Sequence, residues 1–279
     1  MPNNDVRSPL EVEDWGILAS DIKAGHYALF VASGLSSEAG LPMGAELARS
    51  MIRQLYPSST DPISWFRRRF NYDGELDLPV ITQLIQDRLS RAKLIRYLVN
   101  CTNWNVQPYY THQFLKLLAL ETGQRGKALR IVTTNFDSLL ERSLPSGREV
   151  IVTPENYRQV REDEPWVLKI HGCIKKQPAA TIRITTADLA RRLRPWKKAA
   201  VKDCLHRRGL IVIGYGATDI HVKRIVLSAI QQADREAYWV SLGEPDQQVV
   251  NALSVRSGKL LSMDAMTFFK NLGMMEENN

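Results

Sequence analysis

The sequence has few cysteines and no long apolar run. Its three cysteines are far apart and form no Cys-x-x-Cys pair, which argues against a disulfide framework and a structural zinc knuckle. No apolar run reaches the roughly 20 residues that span a bilayer, and the first fifteen residues lack the apolar core of a signal peptide. These absences predict a soluble protein of a reducing cytoplasm that uses no metal and contacts no membrane.

Repeats and low-complexity tracts are also missing, so 279 residues predict one large α/β domain or a domain that carries an insertion. The 37 Lys and Arg residues exceed the 30 Asp and Glu residues by a net charge of +7. This excess is divided among short clusters such as Arg67–Arg69, Arg191-Arg192 and Lys197-Lys198. Scattered clusters are typical of a solvated surface, whereas nucleic-acid binding needs them on one face and is the less favoured alternative.

The stretch Tyr27–Pro42 reads YALFVASGLSSEAGLP. Its apolar residues Ala28–Ala32 predict a buried strand, which ends in a turn at Ser33-Gly34 shortly before a helix. Small side chains would let a pyrophosphate approach backbone N–H groups near the start of that helix. They are Ala32, Ser33, Gly34 and Ser36. An ordinary tight turn stays open, because Ala32 occupies the first glycine position of the G-x-G-x-x-G fingerprint.

Further strands and helices alternate along the chain. The predicted strands are Ala128–Thr133, Glu149–Val152, Trp166–Ile170, Leu210–Ile213 and Ala237–Leu242. The predicted helices are Trp15–Ala24, Glu38–Leu55, Ser138–Arg142, Thr185–Arg208, Ile220–Ala233 and Asp264–Leu272. This alternation predicts a Rossmann-like parallel sheet with helices on both faces. Residues 56–126 have helical apolar spacing, which predicts a helical insertion beside the ligand cleft within a single domain of residues 1–279.

Four segments directly follow predicted strands: Ser33–Ser36, Thr134–Asp137, His171-Gly172 and Gly214–Asp219. Because the carboxyl ends of parallel strands meet at one edge of a sheet, we expect the segments to form one site. Each alone also has a structural explanation as a turn or a helix cap. His112, ahead of an apolar helix, is either a cleft residue or a buried packing histidine.

The ordered motifs VASGLSSEAGLP, TTNFD, KIHG and IGYGATD resemble the sirtuin superfamily, specifically its bacterial branch of domains that destroy NAD. The resemblance covers roughly Tyr27–Ser241. It implies that NAD is the substrate, with its pyrophosphate at the first turn, its nicotinamide ribose at the second motif and its adenosine half at the last. The implied catalytic residues are His171, Asn135 and Asp137. The implied NAD-binding residues are Ala32, Ser33, Gly34, Ser36, Thr134, Gly214, Tyr215 and Asp219.

Two departures from the family pattern are informative. Sirtuins that remove acyl groups from lysine carry a zinc ribbon with two Cys-x-x-Cys pairs after the catalytic histidine, whereas Cys173 stands alone here. The sequence therefore lacks the module that helps to form the acyl-peptide channel, which argues against a deacylase. Ala32 replaces the first glycine of the expected Gly-Ala-Gly, and its methyl group narrows the approach to the pyrophosphate.

Cleavage between nicotinamide and ribose passes through an oxocarbenium-like state and needs positioning more than acid catalysis. Asn135 can orient a water or a ribose hydroxyl, while Asp137 supports the loop or adds negative potential. His171 is the candidate general base. Lys169 on the same strand face either repels the protonated form of His171 or turns outward at the end of the strand. Asp219 either binds a ribose hydroxyl or caps the following helix.

The leading hypothesis is an NAD hydrolase that produces ADP-ribose and nicotinamide as an effector of bacterial antiphage defence. The resemblance implies homo-oligomers or a separate sensor of the Argonaute or translocase ATPase type. The alternative is a silent subunit that binds NAD or ADP-ribose, and a deacylase or ADP-ribosyltransferase ranks third. Three aromatic residues of the insertion belong either to an interface or, as favoured, to the core: Trp65, Phe66 and Trp104.

Overall fold

The structure is a computed structural model. It describes residues 6–7, 9–124, 128–144, 149–161, 163–205, 208–217 and 219–273. Three predicted features extend outside the described residues: residues 125–126 of the insertion, residues 206–207 of a predicted helix, and Thr218 of the glycine-rich loop.

Within the described residues, seven parallel strands form one sheet in the order β3-β4-β2-β1-β5-β6-β7. They are β1 (Tyr27–Val31), β2 (Arg130–Thr133), β3 (Glu149–Ile151), β4 (Trp166–Lys169), β5 (Gly209–Ile213), β6 (Tyr238–Val240) and β7 (Lys259–Leu261). Strand β1 pairs with β2 on one side and with β5 on the other. The chain therefore changes direction across the sheet between β1 and β5, and such a switch point is where open α/β sheets bind ligands.

Helices cover both faces of this sheet. They are α1 (Val12–Lys23), α2 (Ser33–Ser37), α3 (Gly44–Leu55), α4 (Pro62–Phe70), α5 (Leu78–Arg88), α6 (Arg91–Asn100), α7 (Tyr110–Gln124), α8 (Leu139–Ser143), α9 (Pro154–Arg158), α10 (Pro178–Thr181), α11 (Thr186–Ala190), α12 (Pro195–Leu205), α13 (Ile220–Gln232), α14 (Gln247–Ser254) and α15 (Ala265–Asn271). Among the helices of the described chain, none combines the length and the apolarity that a bilayer crossing requires.

Alternate residues of β1 enter two different cores. Ala28 and Phe30 join the apolar cluster that includes residues of α12, α13 and α14, whereas Leu29 and Val31 join the cluster of α1, α7 and α15. This alternation follows from the two-residue repeat of a strand. Strands β1 and β5 are buried throughout, which is typical of a parallel sheet covered on both faces. The predicted Rossmann-like architecture is confirmed.

Helices α3 to α6 build a third apolar cluster beside the carboxyl edge of the sheet, and we call these four helices the cap. Phe66 and Trp104 are buried in this cluster, as favoured from the sequence, while Trp65 is half-buried. Helix α7 packs instead on the sheet, with Leu115 and Leu118 in the core of α1 and α15. The predicted insertion of residues 56–126 thus contains one sheet-packed helix, and its bounds as a unit stay a prediction.

Two long helices predicted from the sequence differ in the structure, because the first begins later and the second is interrupted. The predicted helix Glu38–Leu55 begins only at Gly44, after a bend in which Gly40 has a φ of +83°. The predicted helix Thr185–Arg208 is divided into α11 and α12, and Pro195 is the first residue of the second. Proline suits the first position of a helix because the N–H that it lacks would have no partner there. Within a helix, its ring would clash with the preceding turn. The short strand β7 was not predicted.

His112 lies in the first turn of α7 and is fully buried. Neither ring nitrogen has a hydrogen-bond partner among the described residues, and burial lowers the pKa of His112 to about 4. The packing interpretation therefore holds, and the histidine does not line the main cavity described below. A histidine buried in its neutral form makes the folded state bind fewer protons than the unfolded state below about pH 6.5.

Stability is therefore expected to fall as the pH drops from about 6.5 towards 4. In the variant His112→Leu, we expect the loss of unfolding free energy between about pH 7 and about pH 5 to shrink by roughly 2 kcal/mol. Urea unfolding at both pH values measures this difference. An unchanged loss in the variant would show that His112 is not buried in its neutral form.

Candidate active site

A cavity of about 920 Å³ lies at the carboxyl edge of the sheet, between the strand ends and the cap. All four segments singled out from the sequence contribute to its lining. The predicted residues that line it are Ala32, Ser33, Ser36, Thr134, Asn135, Asp137, His171, Gly214, Tyr215 and Asp219. Gly34 is the one predicted residue outside this lining, because it packs against Gly214. Distant parts of the chain thus converge on a single space.

A buried hydrogen-bond network joins the segments after β1 and β2. The side-chain amide of Asn135 donates to the carbonyl oxygen of Ala32 at 3.1 Å and to the hydroxyl oxygen of Ser36 at 2.8 Å. The Ser36 hydroxyl donates to Asp137 Oδ2 at 2.7 Å. Both amide protons of Asn135 are therefore used to hold α2, and its Oδ1 is left as the acceptor for a ligand.

Asp137 supports its own loop. Its Oδ1 accepts the backbone N–H of Leu139 at 2.9 Å, which caps the start of α8. Lys169 is also buried, and its ammonium donates to the backbone carbonyl of Asp137 and to Glu141 Oε1, the latter at 2.7 Å. The structure thus places Lys169 against α8, where it holds the Asp137 loop, and not beside His171 as proposed from the strand pattern.

His171 and Asp219 form a direct pair that the sequence did not predict. His171 Nε2 lies 2.9 Å from Asp219 Oδ2, and the two side chains are 13% and 4% exposed. The other carboxylate oxygen, Oδ1, accepts the backbone N–H groups of His221 and Val222 and so caps α13. Asp219 is therefore a helix cap, one of its two predicted roles, and it also holds the imidazole.

Burial lowers the pKa of His171, and the charges of Arg183 and Lys197 lower it further against the opposing effect of Asp219. For Asp219, burial raises the pKa, but the hydrogen bonds from His171 and from two backbone N–H groups outweigh it and leave the pKa below its ordinary value. The pair is thus a neutral imidazole beside a carboxylate. Because a carboxylate only accepts, Nε2–H donates to Asp219 and Nδ1 keeps the lone pair that can take a proton.

The segments after β1 and β5 touch through two glycines. A Cβ atom built on Gly34 would lie 2.8 Å from the Cα atom of Gly214, and the N–H of Gly34 donates to the carbonyl oxygen of Gly214 at 3.3 Å. Gly214 also has a φ of +66°, in the left-handed region. Only residues without a side chain allow this approach at the switch point of the sheet.

Ala32 and Tyr215 line the cavity but also belong to the core. Both join the apolar cluster of Phe30 on one sheet face, and the ring centroids of Phe30 and Tyr215 are 4.9 Å apart. The Tyr215 hydroxyl donates to the backbone carbonyl of Asp219 at 3.3 Å. The side chain of Tyr215 thus stabilises the loop Gly214–Asp219 from the side of the apolar core. The predicted effect of the Ala32 methyl group on NAD affinity stays a prediction.

Arg183 and Lys197 are site residues that sequence reasoning missed. Arg183 lines the cavity. Lys197, treated as part of a surface cluster, is buried, and its ammonium donates to the carbonyl oxygen of Ile170 at the end of β4. A signal for Lys197 existed, because it shares a helix face with the buried Val201 and Cys204 at spacings of four and seven. No such signal marks Arg183.

Residues 129–258 match the SIR2-like domain. The match includes the second, third and fourth motifs and excludes the turn after β1. No curated protein matches the chain in sequence. Among the described residues, no three His, Cys, Asp or Glu side chains are grouped so that they could hold a metal ion.

The fold of the whole described chain is similar to that of solved Sir2 structures. A Sir2 homologue in complex with NAD has a TM-score of 0.50 and 15% identity, covering 96% of this chain and 94% of that chain. A Sir2 homologue with a serine-to-alanine substitution, in complex with ADP-ribose, has a TM-score of 0.55 and 15% identity, covering 92% and 95%. A structure described under the mechanism and regulation of Sir2 enzymes has a TM-score of 0.52 and 11% identity, covering 94% and 97%. The domain match is confined to residues 129–258, and at 15% identity or less the structural similarity shows a shared fold.

Proposed function

We propose that this SIR2-like domain cleaves NAD between nicotinamide and ribose and releases ADP-ribose and nicotinamide. The observation that carries the proposal is the hydrogen-bonded pair of His171 and Asp219 in the same cavity as Asn135. This cavity opens at the switch point between β1 and β5, where a dinucleotide binds in open α/β folds. Structural relatives solved with NAD and with ADP-ribose support NAD as the substrate.

The proposed reaction consumes one water. The bond between C1′ of the ribose and the pyridinium nitrogen breaks, and its electron pair leaves with nicotinamide, which departs neutral. Water attacks C1′ from the opposite face of the oxocarbenium-like state. Nδ1 of His171 takes the proton of this water, while Asp219 Oδ2 stabilises the imidazolium through Nε2. Asn135 Oδ1 accepts a hydrogen bond from the water or from a ribose hydroxyl and so fixes the direction of attack.

Hydrolysis is favoured over lysine deacylation by the sequence around the histidine. The segment that follows His171 contains Cys173 alone, and no Cys-x-x-Cys pair occurs in the chain. Cys173 is buried, and burial raises the pKa of its thiol, which makes it a poor metal ligand or nucleophile. Without a second module to hold an acyl peptide, water is the acceptor that the proposal assigns to the ADP-ribosyl group.

A second candidate is a subunit that binds NAD or ADP-ribose without turnover. The engagement of both Asn135 amide protons by Ala32 and Ser36 favours it, because a catalytic amide with free donors could orient more of the ribose. In that case NAD would bind stably and remain intact. Calorimetry with NAD followed by chromatography of the same sample separates the two candidates.

We further propose a biological role as an NAD-depleting effector of bacterial antiphage defence in the cytoplasm. Constant NAD hydrolysis would kill the host cell, so the activity needs a trigger. A separate sensor protein of the Argonaute or translocase ATPase type, or assembly into homo-oligomers, would supply this trigger. Comparing NAD loss in the presence and absence of the product of the neighbouring gene distinguishes a required partner from self-assembly.

The direct test of the reaction is NAD consumption by the pure protein and by its complex with the neighbouring gene product. We expect NAD to be replaced by equal amounts of ADP-ribose and nicotinamide in chromatography. Heat-denatured protein is the negative control, and a known NAD hydrolase is the positive control. If neither sample consumes NAD while the positive control does, the hydrolase proposal is wrong.

A further inference from the structure

A second cavity, of about 600 Å³, shares Arg183 with the lining of the first. We call it the basic pocket. Helices α9, α10 and α12 contribute to its wall, together with the loop between α11 and α12. Six of its lining residues are cationic: Arg91, Arg183, Arg191, Arg192, Arg194 and Lys197. Among the lining residues that the structure describes, two are acidic, Glu155 and Asp188, so this part of the lining carries an excess of positive charge.

The two acidic residues offset only part of this excess. Asp188 Oδ2 accepts from the Arg91 guanidinium at 2.8 Å and from the backbone N–H groups at the start of α11. The side chain of Glu155 is 66% exposed, and its Oε1 lies 3.7 Å from Nη1 of Arg158. Arg158 is not part of the pocket lining. The other five cations of the pocket form no ion pair in the part of the chain that the structure describes. These five are Arg183, Arg191, Arg192, Arg194 and Lys197.

The cations of the basic pocket repel one another. Burial lowers the pKa of Lys197 to about 7, and the charges of Arg183 and Arg194 act in the same direction. Two donors at the pocket, Arg183 Nε and the indole N–H of Trp196, are buried with no hydrogen-bond partner among the described residues. Arg183 Nη2 donates to the backbone carbonyls of Asp188 and Arg191, both at 2.7 Å, but these neutral acceptors do not cancel its charge. Buried donors without hydrogen-bond partners and like charges without a carboxylate counter-ion reduce stability, and an anion in the pocket would satisfy both.

We propose that the basic pocket binds a small ligand with two or more adjacent phosphate groups, separately from NAD in the main cavity. Guanidinium groups pair with phosphate oxygens through two parallel hydrogen bonds, which suits the arginines of the loop between α11 and α12. Trp196 adds a half-buried aromatic wall. The pocket volume falls within the range of small-molecule sites. A nucleic-acid strand would instead need a continuous groove with several stacking aromatic residues.

The position of the basic pocket links it to the candidate catalytic pair. Arg183 lines both cavities, and Lys197 holds the carbonyl oxygen of Ile170, the residue before His171. Both cations lower the pKa of His171. A phosphate ligand would offset their charge and so change the electrostatic environment of His171. The ligand therefore has the position of an effector.

Calorimetric titration of the pure protein with inorganic pyrophosphate and inorganic triphosphate tests the proposal. We expect binding to the wild type and a loss of at least tenfold in affinity in the double variant Arg191→Ala/Arg194→Ala. The matched control is Arg68→Ala/Arg69→Ala, which removes the same charge from exposed positions of α4 outside the pocket. The control should bind as the wild type does. Circular dichroism checks that both variants fold.

Three results would overturn the proposal. The first is no binding of either phosphate to the wild type, and the second is an equal loss in both double variants, which would reveal a general charge effect. The third is a short single-stranded DNA that binds more tightly than triphosphate and loses affinity in the Arg191→Ala/Arg194→Ala variant, which would assign the surface to nucleic acid. The variant His171→Gln should still bind phosphate, so the result of the phosphate titration does not depend on NAD cleavage.

Discussion

NAD cleavage is expected to fall by roughly three orders of magnitude in the variant His171→Gln, because general base catalysis by a positioned side chain typically contributes 10²- to 10⁴-fold. Glutamine keeps a side-chain donor for Asp219 Oδ2 but has no lone pair on nitrogen that can take a proton at neutral pH. The turnover number, measured under activating conditions, should fall while the affinity for ADP-ribose changes little.

His26→Gln is the matched control for this variant. The His26 ring is bound to Asp21 at 3.0 Å and precedes β1, at the opposite edge of the sheet from the cavity. The variant His26→Gln should cleave NAD at the wild-type rate. Wild-type activity in His171→Gln, with an unchanged thermal transition, would remove His171 from the mechanism. Loss of folding in His171→Gln would instead indicate a structural role.

The pH dependence of cleavage provides an independent readout of the same pair. A general base must be neutral, so the rate should be constant above the pKa of His171 and fall tenfold per pH unit below it. Burial and the nearby cations lower that pKa, which extends the plateau to the acidic side of pH 6.5. In Asp219→Asn the carboxylate that raises the pKa is lost, so the acidic limb should move to lower pH. A limb that moves to higher pH would contradict the proposed pairing.

Gly214→Ala is expected to have the largest effect on stability, roughly 2–4 kcal/mol of unfolding free energy. A Cβ atom there would lie 2.9 Å from the Cα atom of Gly34, and the residue would have to keep a φ of +66°. Because backbone stands on both sides of the contact, the segments after β1 and β5 must separate. Separation would also disturb the cavity lining, so the affinity for ADP-ribose should fall in parallel.

Gly216→Ala tests whether the effect belongs to this contact. Gly216 lies in the same loop and also lines the cavity, but a Cβ atom built on it meets no atom within 4 Å. Its unfolding free energy should stay within about 0.5 kcal/mol of the wild type. Urea denaturation of the two variants measures the contrast. Equal stabilities would show that the two segments do not approach as closely as the structure shows.

The sheet was predictable because its strands are buried on both faces. Continuous apolar runs such as that of β1 mark such strands directly, and their alternation with helices fixes a parallel arrangement. The break in the helix predicted over Thr185–Arg208 was harder to foresee. Apolar spacing continues on both sides of Pro195, and only the proline itself indicates the break before α12. The strand β7 is short and follows an exposed loop, so its pattern is weak.

The candidate site was predictable at the level of segments but not of contacts. The carboxyl ends of parallel strands meet at one edge of a sheet, so the four segments, each of which follows a strand, are expected to lie together. This rule does not predict that His171 pairs with Asp219, since β4 and β5 are separated in the sheet by β2 and β1. Nor does it predict that the amide of Asn135 binds Ser36, which is 99 residues away in the chain. These contacts depend on side-chain orientation, which spacing along the chain does not encode.

A crystal structure of the protein with ADP-ribose tests most directly whether the four segments surround one dinucleotide. We expect the pyrophosphate beside the segment Ser33–Ser36 and the terminal ribose within hydrogen-bond distance of Asn135 Oδ1. We also expect His171 Nδ1 to face the C1′ atom of that ribose. ADP-ribose bound away from this cavity, or in it with the imidazole directed away from the ribose, would contradict the account.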